Sequence, residues 1–183
     1  MNYEHILAID PSGNFEEGKG TTGLCCFSGK EMRISCVANI EARQYTSKEN
    51  YWKAHTDFIK SFVNACPNAI IIIEDFTLDP RRAMQQSHSK METPKLIGIL
   101  QLFCTENNIP YKMQRPVEVK NRWADSILEF KKYIIKRNRM HFIPGFSRPI
   151  SRHCKDAIRH AVHFATFYNE GETNGKKENN SAC

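Results

Sequence analysis

Residues Ala69–Thr77 read AIIIIEDFT, and residues His5–Gly23 read HILAIDPSGNFEEGKGTTG. In the first stretch five apolar, mostly β-branched residues run straight into Glu74. In the second, Ile6–Ile9 runs into Asp10 and then at once into the turn signal Pro11-Ser12-Gly13. A short, wholly apolar run predicts a central strand buried on both faces. A carboxylate abutting such a run is costly to bury unless it sits at the strand end with a partner or a metal. Asp75 alternates to the other face and reads as a solvated or structural acid.

A third stretch, Ser151–Ala165 (SRHCKDAIRHAVHFA), predicts an amphipathic helix with His153 and Asp156 three apart on one face. Taken singly, each residue has an ordinary place. Asp10 suits a turn, Asp156 suits the amino end of a helix, and His153 suits a surface. Together they predict three carboxylates and an imidazole converging over two neighbouring strand ends. Like charges so close repel unless a cation neutralises them, and the oxygen-rich set suits Mg²⁺, with Mn²⁺ as a substitute.

Outward from these stretches, Ile6–Ile9, Thr21–Phe27 and Met32–Ile40 predict an antiparallel meander. A helix capped by Thr46 or Ser47 follows, with Tyr51, Trp52, Phe58, Ile59, Phe62 and Val63 at helical spacing. After the strand Ala69–Ile73, the polar segment Leu78–Lys90 predicts a mobile loop carrying Arg81 and Arg82. Thr93-Pro94 reads as a cap and first turn. The helix it opens is apolar on more than one side, which predicts deep core or a subunit interface. Tyr111–Gln114 predicts a fifth strand, and Pro116 opens a helix through Leu128. The segment Lys131–Arg152 is the most basic, with Lys131, Lys132, Lys136, Arg137, Arg139, Arg148 and Arg152 among interleaved aromatics. This order predicts a ribonuclease H-like α/β fold, a mixed five-stranded sheet flanked by helices. One domain spans 1–168, and the polar stretch 169–183 predicts a disordered tail.

The chain has 183 residues and a net charge of +6, a mild lean toward a polyanionic partner. Its seven cysteines are odd in number and form no C-x-x-C pair, which favours reduced thiols in a cytoplasm over a disulfide framework or a zinc site. No run has the length of a signal peptide's apolar core or a membrane span.

The combination of IDPSG…GTTG, IIIIEDF and a carboxyl-terminal H-x-x-D-A resembles the RuvC-like Holliday junction resolvases, most of all the phage-type members. The likeness runs from about Ile6 to Tyr168. It implies that Asp10 bridges two Mg²⁺ ions and that Glu74 and Asp156 each complete a metal's shell. It also implies that His153 ligates a metal or positions the attacking water, and that Lys120 lies near the scissile phosphate. The helix after Thr93 resembles the one that joins family members into two-fold homodimers, so four-way or branched DNA cut by paired nicks is the implied substrate. The basic segment, with Arg81, Arg82 and Lys120, would hold phosphates without reading sequence. One departure stands out: some members carry an aromatic wedge three positions after the catalytic Glu, where this chain has Thr77, its aromatic being Phe76. A different enzyme class remains as an alternative, because Asp10 with Gly20-Thr21-Thr22-Gly23 also resembles the first phosphate loop of actin and sugar-kinase ATPases.

Overall fold

The structure, a computed structural model, describes residues 2–77 and 91–169. Its elements in order are β1 (His5–Asp10), β2 (Thr21–Ser28), β3 (Arg33–Glu41), α1 (Lys48–Ala65), β4 (Ala69–Glu74), α2 (Glu92–Glu106) and β5 (Tyr111–Gln114). There follow α3 (Pro116–Arg122), α4 (Asp125–Phe130), β6 (Ile135–Arg137), β7 (Met140–Phe142) and α5 (Arg152–Phe167). The five-stranded sheet has the order β3-β2-β1-β4-β5. β1, β4 and β5 run parallel, while β2 is antiparallel to β1 and β3 antiparallel to β2.

Strand alternation divides the core into two layers. Ile6 and Ala8 of β1 pack with Ile70 and Ile72 of β4 beneath α5, joined by Val119, Trp123 and Leu128. Leu7, Ile9, Ile71 and Ile73 pack on the other face against α1 and α2. Burying β4 on both faces is what its unbroken isoleucine run encodes. Parity then assigns Asp10 and Glu74 to the α5 face. Because Ile9 lies opposite Ile73 in the parallel pair, the two carboxylates also end at one level.

Ser47 caps α1, its Oγ accepting from the Asn50 N–H at 3.2 Å. The opening of α2 differs from expectation. Met91 at φ 50° precedes the helix, and Thr93 lies inside its first turn. The Thr93 hydroxyl instead accepts from the Gly13 N–H at 3.0 Å. One side of α2 is core through Leu96, Ile97, Leu100 and Cys104, while Leu102 is exposed.

The helix predicted from Pro116 through Leu128 is broken at Trp123-Ala124. The break lets the Trp123 ring turn into the core, where its indole N–H donates to His163 Nδ1 at 3.2 Å, and Arg159 Nε satisfies its carbonyl at 2.8 Å. The basic segment contains a hairpin of β6 and β7 that no alternation in its sequence predicts. Its two-residue turn, Asn138-Arg139, has both φ angles positive (51° and 69°). An Asn-Arg pair does not advertise that turn as Asn-Gly does.

Asn169, placed in the tail by its sequence context, is buried, and it exchanges two 2.7 Å hydrogen bonds with the Tyr3 backbone. The rest of the tail and the segment Leu78–Lys90, with Arg81 and Arg82, lie outside the described residues. Among the described residues the cysteines are free thiols, and no helix is long and apolar enough to cross a membrane.

Candidate active site

Three elements deliver the acids. β1 ends on Asp10, β4 ends on Glu74, and α5 lies across both strands with Asp156 in its second turn. A carboxylate oxygen from each of Asp10, Glu74 and Asp156 lies within 4.8 Å of the others. All three side chains are buried.

α5 is brought this close by an absent side chain. An ideal Cβ on Gly23, the β2 residue paired with Asp10, would fall inside the His153 carbonyl. The helix end is further fixed by Ser151, whose Oγ accepts from the Cys154 N–H at 3.0 Å and donates to Asn39 Oδ1 at 2.7 Å. Gly13 plays the matching part on the other face, where a Cβ would overlap the Glu92 backbone at the start of α2.

The charges are not left bare. Lys120 Nζ donates to Glu74 Oε1 at 3.1 Å and lies 3.3 Å from Asp156 Oδ2. His153 Nδ1 meets Asp10 Oδ2 at 2.7 Å and is half-exposed at the mouth of the site. His160, which is not among the residues predicted from sequence, is fully buried behind Glu74. Its Nε2 meets Glu74 Oε2 at 3.0 Å, and its Nδ1 meets Gln114 Oε1 at 2.9 Å. A signal was available: His160 lies seven residues after His153 and four after Asp156, on the same helical stripe. Arg159 is a second addition, pairing with both Asp156 and Asp125.

The electrostatics differ from one acid to the next. Burial raises the Asp10 carboxyl above its ordinary pKa, and repulsion from Glu74 and Asp156 adds to this, with the His153 hydrogen bond opposing. Burial also pushes Glu74 upward, but hydrogen bonding to His160 and the charges of His160 and Lys120 outweigh it, so its pKa is lowered. The hydrogen bond to Asp10 raises His153, against the effect of burial. Burial opposes the Lys120 ammonium, yet Glu74 and Asp156 together hold its pKa above the ordinary value. Crowded hard-oxygen donors with one carboxyl pushed up by its neighbours form a set that a divalent cation would relieve. The fit to a Mg²⁺-class ion is good.

A cleft of about 150 Å³ opens beside Asp10 and Glu74 and is lined also by Asp75, Phe76, Thr77 and Pro116. Phe76 is half-buried against the α1–α2 layer. The basic residues Lys131, Lys132, Lys136, Arg137, Arg139, Arg148 and Arg152 are all exposed.

The segment resembling a phosphate loop has another occupation. Thr21–Gly23 begin β2, and the buried Thr22 hydroxyl accepts from the Ser12 N–H at 3.1 Å and meets His55 Nε2 at 2.8 Å. His55 Nδ1 donates to the Tyr51 carbonyl at 2.7 Å, and the Tyr51 hydroxyl donates to the Ser12 carbonyl at 2.6 Å. Thr22 thus clamps the turn after Asp10.

No protein-family model matches the sequence, and no curated protein does. Among solved structures, the chain is similar to Thermus thermophilus RuvC in complex with a Holliday junction substrate. Identity is 14%, 91% of this chain and 98% of that chain are covered, and the TM-score is 0.61. A second structure of Thermus thermophilus RuvC is 16% identical over 88% of this chain and 93% of that one, with a TM-score of 0.59. The sheet order, the helices on both of its faces and these likenesses agree: the chain has a ribonuclease H-like fold, similar to that of these RuvC structures.

Proposed function

We propose that the chain is a divalent-metal-dependent, structure-selective DNA endonuclease that cuts four-way junctions by paired nicks. The observation that carries this reading is the gathering of Asp10, Glu74 and Asp156, from distant parts of the chain, within 4.8 Å. These three would hold Mg²⁺, or Mn²⁺ in its place, as two ions that supply an activated water and offset charge on the phosphate.

The chain's own residues then have separable tasks. His160, with Gln114 behind it, fixes the rotamer of Glu74. His153 orients Asp10 and, being half-exposed, is placed to hold or receive a proton from a water entering at the mouth. Lys120 stands between Glu74 and Asp156, where its ammonium can meet a phosphate oxygen. In-line attack by water would leave a 5′ phosphate and a 3′ hydroxyl. The exposed basic residues from Lys131 to Arg152 hold the flanking backbone by charge. A two-fold pairing through α2, where Leu102 is exposed, would match a two-fold junction. Such a substrate implies the cytoplasm, the host's if the chain is viral.

The test incubates the purified protein with a labelled four-way junction, a flap, a linear duplex and an RNA–DNA hybrid, each with and without Mg²⁺. The expected outcome is Mg²⁺-dependent cutting of the junction that is lost in Asp10→Asn. Cutting retained in Asp10→Asn would remove the metal assignment, and ATP hydrolysis without DNA cleavage would favour the kinase-like alternative.

A further inference from the structure

Asp10 pairs with Gly23 of β2, and Gly23 pairs with Asn39 of β3. The three lie in a row across the sheet, so Asn39 stands two strand spacings, about 10 Å, from Asp10. β3 is an edge strand. Beside Asn39 a groove of about 350 Å³ lies between that edge and the segment leading into α5, with Phe146, Arg148, Ser151 and Cys154 among its walls. It adjoins the site directly, because Cys154 follows His153 in the first turn of α5.

Three features of this groove point to its occupant. Phe146 is 42% exposed, an aromatic surface left facing water. The Asn39 carbonyl oxygen already accepts from Ser151 Oγ at 2.7 Å, with the Cys154 thiol shared between it and the Ala38 carbonyl, which fixes the amide and leaves its NH₂ as a donor. A second depression of about 260 Å³ shares Phe146 and Ile143 with the first and adds Arg33, Lys131 and Lys132. An aromatic face, an oriented donor and a cationic continuation are what a single-stranded nucleotide track requires. A peptide strand docking on β3 would need neither the aromatic face nor the cations.

Building on the nuclease reading, we propose that this groove receives one unstacked nucleobase of the strand being cut. The base stacks on Phe146 and accepts a hydrogen bond from the Asn39 amide, while the strand continues over Arg33, Lys131 and Lys132. The base would belong to a nucleotide close to the attacked phosphate, since the groove and the acids share one row across the sheet. Base flipping costs least where pairing is already lost, so a branch point is the natural place for it.

The experiment measures single-turnover cleavage of four-way junctions carrying one abasic site, moved position by position around the cut. One position is expected to slow cleavage roughly tenfold, the usual scale for losing a base–aromatic stack. Phe146→Ala should slow cutting of the intact junction by a similar factor, yet add nothing on the junction abasic at that position. Phe146→Tyr should restore the rate. No sensitive position, or additive effects of the abasic site and Phe146→Ala, would overturn the groove assignment alone. Failure of the unaltered protein to cut any junction would overturn it together with the reading on which it rests.

Discussion

Two polar clusters flank the turn that follows Asp10, and they use opposite electrostatics. On the α5 face, Asp10, Glu74 and Asp156 crowd together with Lys120, His153 and His160. On the α1 face, Tyr51, His55, Thr22 and the Ser12 backbone form a chain of hydrogen bonds without a single formal charge. Burial drives the His55 pKa down to about 4. Its Nδ1 must donate to the Tyr51 carbonyl, so its Nε2 accepts from the Thr22 hydroxyl. The neutral cluster holds the turn in shape. The charged cluster is held by it, at the cost of mutual repulsion. The contrast separates residues that support the site from residues that would perform chemistry.

The sharpest way to break this division is Asp10→Asn. Loss of one acid should reduce Mg²⁺-dependent cutting by on the order of 10³-fold. In metal-free buffer the same change should leave the urea midpoint equal or higher, because it removes one of three crowded like charges. A large drop in midpoint would show that Asp10 is a structural residue after all.

The neutral cluster makes its own prediction. An unfolded histidine titrates near 6.5, whereas folded His55 titrates at about 4. Between those values the unfolded chain binds the extra proton, so stability is full above pH 6.5 and declines as pH falls toward 4. The decline attributable to His55 is roughly 3 kcal/mol. Urea titrations across that window should show it, and His55→Gln should flatten the slope. An unchanged slope in the variant would place the acid sensitivity elsewhere.

The smallest effect is expected at a supporting residue inside the charged cluster. His160→Gln should cost about 10–100-fold in cutting, the scale for residues that orient a metal-binding carboxylate. The apparent affinity for Mg²⁺, read by the shift of the melting temperature, should weaken with it. Lost activity at unchanged Mg²⁺ affinity would make His160 a participant in proton transfer.

The sheet and its two acids were legible because each acid closes an apolar run, where burial penalises any charge that has no partner. Asp156 was legible through its spacing from His153. His160 shares their helical stripe, but that spacing alone does not separate it from a core histidine until Glu74 is seen beside it. The hairpin of β6 and β7 left no signal because three-residue strands carry too few positions to show alternation. The break at Trp123 is hidden for a different reason: Val119, Trp123 and Ile127 keep helical spacing through it, and only the distant Arg159 and His163 account for it. Thr93 misleads because a hydroxyl before a helical pattern looks like a cap, whereas here it serves Gly13 on another segment.

Gly23 sets a dimension as well as an approach. The backbone of α5 rests on β2 with no room for even one methyl group. Gly23→Ala would therefore act as a shim driven under the helix, lifting Asp156 and both histidines away from the strand ends at once. The calibration of the whole acidic centre depends on a hydrogen atom in a residue that brings no side chain to it.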